Sequence, residues 1–292
     1  MIGALFCYFF AYAKNNLRIW VSIYDFNFER IALDYTNYFS YISSSNDKSN
    51  LAKRGRNKQK RHDLRQYSLA LITTKELGLP LYSHVYEGNK NDQTIFAEYT
   101  DVLKKRIPGY NPKNITLVFD GGNNTKTNLE TLKNHYVCSF SLSCCKSLYD
   151  IDVAEYYDIE YNEKTTKGYR ITKKIWGKER ECILTFSHPL YVGQIKEFDE
   201  NISSVIDSFN SLNEQLSNPK SRIDKKEGPI RDKIKSILSA KYMDEVFETK
   251  IAIREQDNLV SRVEYSLNES SKTCITHKYF GKKLIITALL SI

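Results

Sequence analysis

ITLVFDGG, residues 115–122, is an unbroken run of β-branched and large apolar side chains that stops at Asp120 and a Gly-Gly pair. A strand with one wet face alternates polar and apolar residues, so a run without alternation is expected of a strand covered on both faces. Asp120 is therefore expected at the C-terminal end of a central strand. Upstream, residues 92–107 carry Ile95, Phe96, Tyr99, Val102 and Leu103 at the spacing of one helical face, with Asn91 or Asp92 as cap and Pro108-Gly109 as the stop. Residues 67–73 and 80–86 read as two strands of a hairpin around Lys75, Glu76 and Gly78. Residues 31–42 (IALDYTNYFSYI) alternate as a further strand with Asp34 inside it, and downstream a helix over 126–134 precedes a strand over 136–142.

The composition admits such a fold. With 292 residues, 41% of them apolar, the chain can bury a substantial core, and only 12 Gly and 6 Pro exclude collagen-like and low-complexity classes. Lys and Arg number 43 against 35 Asp and Glu, a net charge of +8 that favours a polyanionic partner such as nucleic acid. The six cysteines (Cys7, Cys138, Cys144, Cys145, Cys182, Cys274) show no disulfide or zinc spacing, and the adjacent Cys144 and Cys145 read as small buried hydrophobes of a reducing cytosol. The apolar stretch 2–13 is shorter than the roughly 20 residues of a membrane span and lacks the basic flank of a signal peptide, so it reads as a strand or helix docked on the body, or as the scar of a chain that once began further upstream.

The resulting β-β-β-α-β-α-β order is that of an RNase H-like fold: a mixed α/β sheet with flanking helices, in which carboxylates on the first and fourth strands face each other. Asp34 and Asp120 are the candidates. Two carboxylates converging on one sheet edge form an oxygen-rich site for hard divalent cations, and two such ions ~3.5–4 Å apart clamp the attacking and leaving oxygens of an in-line phosphoryl transfer. The alternative is that each aspartate simply caps a turn. Beyond the core, residues 161–186 look like a hairpin turning at Gly177-Lys178, residues 190–216 and 229–242 look helical, and the last fifty residues, including KTCITHKYF at 272–280, alternate like strands. The expected division is an N-terminal remnant over 1–30, an RNase H-like core over 31–148, a β-rich and partly helical insertion over 149–280, and a strand returning to the core over 281–292.

Four blocks in succession, LDYTNYF (33–39), KRGRNKQKRHDLRQ (53–66), LGLPLYSHVYEGNKNDQTIF (77–96) and ITLVFDGG, resemble bacterial and archaeal insertion-sequence transposases of the DDE class, in the branch with a β-rich insertion. YFGKKLIITALL (279–290) is similar to the strand before that family's last catalytic helix. The resemblance implies that Asp34 and Asp120 are the first two metal-binding carboxylates, that Mg²⁺ or Mn²⁺ is the cofactor, and that the reaction is cleavage and strand transfer of DNA. It implies a third carboxylate from a helix bearing Tyr, Arg, Glu and Lys at fixed spacing, and no segment supplies it; Glu264 and Glu269 lack the pattern. The expectation is thus a truncated, inactive copy with poor solubility. Asn89 and Asp92 are expected to fix a strand-to-helix turn rather than touch metal.

Two segments are candidate DNA contacts. Lys53, Arg54, Arg56, Lys58, Lys60, Arg61 and Arg65 crowd one stretch, where His62 reads as a phosphate contact or solvated bystander; each cation can neutralise a phosphate or simply be solvated. On the expected hairpin, Trp176 and Tyr169 interleave with Lys173, Lys174, Lys178 and Arg180, a pattern suited to stacking on an unpaired base, although such alternation more often means a core on one side. The expected partners are transposon ends and target DNA, with a homodimer in the DNA complex and no membrane, in a prokaryotic cytoplasm at the nucleoid. The rival functions are a DNA-binding remnant without catalysis, which competes with intact transposase, and a metal-dependent nuclease.

Overall fold

The computed structural model describes residues 28–288 apart from 44, 58–60, 76–77, 108–109 and 162–163. The expectations for the apolar stretch 2–13, for Lys58 and Lys60, for the Pro108-Gly109 stop and for residues 289–290 lie outside the described residues. The elements run β1 (Arg30–Ser40), β2 (Arg65–Thr74), β3 (Pro80–Glu87), α1 (Asp92–Arg106), β4 (Thr116–Phe119), α2 (Lys126–Thr131) and β5 (His135–Phe140). Next come β6 (Tyr157–Tyr161), β7 (Lys164–Ile175), β8 (Lys178–Phe186), α3 (His188–Ser217), α4 (Glu227–Ile237) and α5 (Met243–Val246). The chain closes with β9 (Phe247–Ile253), β10 (Val260–Leu267), α6 (Glu269–Tyr279) and β11 (Lys282–Ala288).

Two compact units result, the first from residues 28–144, 170–184 and 284–288, the second from 145–169 and 185–283. The first is a mixed α/β unit whose sheet has the order β3-β2-β1-β4-β5-β11-β8-β7. β2 lies antiparallel between β1 and β3, β4 is parallel to both β1 and β5, and β11 returns antiparallel to β5. One face is apolar because every second residue is: Ile31 and Leu33 on β1, Ile72 on β2, and Leu117 and Phe119 on β4 are buried. These five line a small apolar cavity together with Phe96, Tyr99 and Leu103 of α1, so the helix covers this face. Phe96 and Phe119 bring their ring centroids to 4.9 Å. α1 starts where Asn91 accepts a hydrogen bond from the Gln93 amide.

The second unit is built on the 30-residue α3, whose Phe198, Ile202, Val205, Phe209, Leu212 and Leu216 form one buried stripe at helical spacing. Ile230 and Ile234 of α4, Met243 and Val246 of α5, Phe247 of β9, Val260 and Val263 of β10, Ile275 of α6 and the following Phe280 complete that core. β9 and β10 pair as a hairpin, and β6 pairs with the first half of β7.

Three features differ from the sequence reading. Residues 272–280 are not a strand but lie in α6 and its cap, because Asn268 accepts the Ser271 amide and burial falls on Ile275 and on the capping Phe280 rather than on alternate residues. The helix expected over 229–242 ends at Ile237, and Tyr242 adopts a left-handed conformation, φ 70°, before α5. The hairpin arm 170–184 falls in the first unit rather than in a separate insertion, since β8 follows β11 in the sheet, and the second unit is dominated by helices. Among the described residues no helix is long and apolar enough to cross a membrane.

Candidate metal centre and nucleic-acid interface

On β1, Leu33 faces α1, and the Tyr35 ring lies 6.2 Å from the Tyr99 ring of that helix. Asp34 between them is exposed, hence on the opposite face. On β4 the buried Phe119 is likewise followed by an exposed residue, Asp120, in extended conformation. Leu33 and Phe119 are register partners on parallel neighbouring strands, and each aspartate is the next residue. The structure therefore sets Asp34 and Asp120 side by side on one face, on strands separated by about 4.8 Å.

Asp120 is held by its own turn. Its Oδ1 accepts the Gly121 amide at 2.7 Å and the Ser139 hydroxyl at 2.7 Å, and the same amide also reaches Ser139 Oγ at 2.8 Å. Asn124 Nδ2 donates to the Ser139 carbonyl, and Asn128 Nδ2 donates to the Asn123 carbonyl at 3.1 Å. A Cβ on Gly121 would come within 3.0 Å of Ser139, which is why the DGG turn takes glycine there. Ser139 escaped the sequence reading. Its signal is slight, a small polar residue at the one exposed position inside the strand HYVCSF. The adjacent Cys138 points into the core, and burial pushes its thiol up to about 12.

On the α1 side the Tyr86 hydroxyl donates to Asp92, and burial raises the Tyr86 and Tyr99 hydroxyls. Asp92 lies in the first turn of α1, on the face away from Asp34 and Asp120, where a carboxylate complements the helix N-terminus.

Lys53, Arg54 and Arg56 are exposed. Their backbone is fixed because Lys53 and Gln66 exchange both amide-carbonyl hydrogen bonds, 2.9 and 2.8 Å. Gln66 lies opposite Phe39, near the C-terminal end of β1, which is also the end toward which β4 runs into Asp120. Asp34, five residues before Phe39, lies in the middle of β1, so the cationic stretch is anchored roughly 16 Å further along that strand. Arg61 instead grips Asp63 through two hydrogen bonds of 2.9 and 2.8 Å, and Arg65 Nη1 donates to the Asn46 carbonyl at 2.7 Å. The neighbouring His62 is exposed.

The hairpin residues scatter. Lys174 and Lys178 are exposed and Lys173 is half-buried, but Arg180 is only 3% exposed, its guanidinium 5.7 Å above the Tyr136 ring and its Nε directed at the Ile175 carbonyl. It packs inside the first unit and offers no surface contact to a phosphate. Trp176, at φ 50° in the tight β7–β8 turn with Gly177, lays its ring edge-on to Phe140 at 5.2 Å, which spends the ring on the core rather than presenting it to a base. Tyr169 lies against Tyr156 in the second unit, 6.2 Å between centroids. Among the described residues no group of three His, Cys, Asp or Glu side chains is placed to hold a metal ion.

No protein-family model and no curated protein matches the chain. Among solved structures, the cryo-EM structure of the piggyBac transposase synaptic complex with hairpin DNA is similar at a TM-score of 0.30 and 12% identity over 54% of this chain. The chain spans about a third, 33%, of that protein's length.

Proposed function

We propose that the chain is a DNA transposase catalytic domain of the DDE class on an RNase H-like sheet, with Asp34 and Asp120 as its metal-binding carboxylates. The observation carrying this reading is the register of β1 against β4, which brings two aspartates 86 positions apart in sequence onto adjacent strands and one face. The order β3-β2-β1-β4-β5, with β2 alone running against the other four, supports the RNase H-like part. The four sequence blocks that resemble insertion-sequence transposases fall on β1, the basic stretch, the β3–α1 segment and β4.

The donor set suits the cofactor. Mg²⁺ prefers hard oxygen ligands and keeps several waters, taking one or two carboxylates from the protein and the rest from substrate phosphates. Asp34 and Asp120 would hold it. When bound, such ions stabilise the charge that develops in phosphoryl transfer. The chain itself contributes the carboxylates and, through Lys53, Arg54 and Arg56 further along β1, cations suited to holding the backbone of a DNA that runs on past them. A homodimer on paired DNA ends, at a prokaryotic nucleoid, belongs to the same proposal.

That no third ligand joins the pair among the described residues favours a second reading, DNA binding without strand transfer. Mobility-shift measurements with and without Mn²⁺ separate the two. Under the proposal, Mn²⁺ tightens the hold on a DNA duplex, and Asp34→Asn or Asp120→Asn abolishes that stimulation while leaving metal-free binding intact. Binding that ignores both metal and substitutions establishes the second reading. Metal-dependent cleavage without strand joining would mark a nuclease.

A further inference from the structure

Ser139 lies on β5, the third strand of the parallel trio β1, β4 and β5. Because Phe119 is in register with Cys138, Ser139 stands beside Asp120 as Asp120 stands beside Asp34. All three are exposed, while Leu33, Phe119 and Cys138, the residues before them, are buried. A row Asp34, Asp120, Ser139 therefore crosses three adjacent strands on one face. Within it the Ser139 hydroxyl donates to Asp120 Oδ1 and accepts from the Gly121 amide, and its carbonyl is tied by Asn124.

We propose that Ser139 is a positioning residue for metal binding, acting through Asp120. The inference rests on the proposed reading of Asp34 and Asp120 as cation ligands. A lone carboxylate at a strand end rotates about its χ torsions, and that freedom is lost when a cation binds. Two donors converging on Oδ1, one from the following amide and one from the neighbouring strand, remove most of the freedom beforehand. Hydrogen bonds that orient metal-binding carboxylates in this way are typically worth 10–100-fold in metal affinity. The Gly121 amide alone does less, because it belongs to the residue next to Asp120 and moves with it. Ser139 ties the carboxylate to a strand, and the strand is paired on both sides, to β4 and to β11. The chemistry requires a hydroxyl: alanine keeps the strand and loses the donor, whereas threonine keeps the donor and suits a strand at least as well.

The test is Mn²⁺ binding to the full chain, followed by the paramagnetic resonance signal of the free ion, together with the melting temperature of each variant. Ser139→Ala is expected to weaken Mn²⁺ binding by about tenfold or more, and Ser139→Thr to restore wild-type affinity. A role confined to stabilising the turn would lower the melting temperature of Ser139→Ala and leave Mn²⁺ affinity unchanged, which overturns the inference. If Asp120→Asn abolishes binding while Ser139→Ala binds as the wild type does, the inference fails and the reading of Asp120 stands. If the wild-type chain takes up no Mn²⁺, the reading fails and the role of Ser139 fails with it.

Discussion

Gly88 and Gln66 illustrate how single residues fix the origin of the cationic stretch. Gln66 is 1% exposed, and its Nε2 donates to the Gly88 carbonyl at 2.7 Å and the Arg56 carbonyl at 3.1 Å. The backbone closes around it so tightly that a Cβ on Gly88 would lie 2.1 Å from the Gln66 carbonyl oxygen, and one on Gly55 would lie 2.1 Å from the Gly88 oxygen. Those obstacles are main chain and cannot swing aside. Gly88→Ala is therefore expected to cost about 3 kcal/mol of stability, the upper part of the range for overpacking, as read from urea unfolding. Gly122→Ala, where a Cβ meets nothing within 4 Å, is the matched control and is expected to change stability by less than about 0.5 kcal/mol. Equal effects at the two sites would show that close approach at Gly88 is not what selects glycine there.

Among the elements, α6 best separates what the sequence discloses from what it conceals. KTCITHKYF alternates in polarity, yet it is helical because Asn268 caps the first turn, Thr273 bonds back to the Glu269 carbonyl, and burial falls on Ile275 and the C-cap Phe280 only. Alternation signals a strand only when one face is buried, and here nearly every side chain is partly exposed. Removing the cap with Asn268→Ala should cost about 1 kcal/mol, whereas Asn268→Asp should be nearly neutral; urea denaturation of the full chain reads both, and a silent Asn268→Ala would mean the cap does not hold the helix. By contrast, α1 was legible because burial and pattern coincide: Ile95, Phe96, Tyr99 and Leu103 repeat at helical spacing and are all buried, whereas β4, an unbroken run of β-branched and apolar residues, buries only alternate ones. Asp34 and Asp120 were legible as strand carboxylates, each directly after a large apolar residue, Leu33 or Phe119. Ser139 was not, since its place beside Asp120 depends on the pairing of β4 with β5, which no local pattern encodes. Trp176 and Arg180 misled because aromatic and basic residues on a hairpin read alike whether they face solvent or pack under it.

At the scale of the whole chain, a net charge of +8 is spread over many lysines and arginines, and the proposal turns on which of them meet DNA. Lys53, Arg54 and Arg56 are exposed on backbone anchored to the sheet, while Arg61 is committed to Asp63, whose carboxyl it holds at about 2. That folded value lies below the ordinary range for aspartate, so the pair stays charged as pH falls until acidity approaches it, and Arg61 is not released under mild acid. Each phosphate contact adds about −0.9 to the slope of log affinity against log salt concentration. Replacing Lys53, Arg54 and Arg56 together by glutamine should therefore make that slope shallower by up to about 2.7, measured by fluorescence anisotropy on a DNA duplex between about 50 and 200 mM salt. Arg61→Gln should leave the slope almost unchanged, because Arg61 is engaged with Asp63 and supplies no phosphate contact. A triple variant with the wild-type slope would move the DNA surface away from this stretch, and with it the reason for bringing a sugar-phosphate backbone to Asp34 and Asp120.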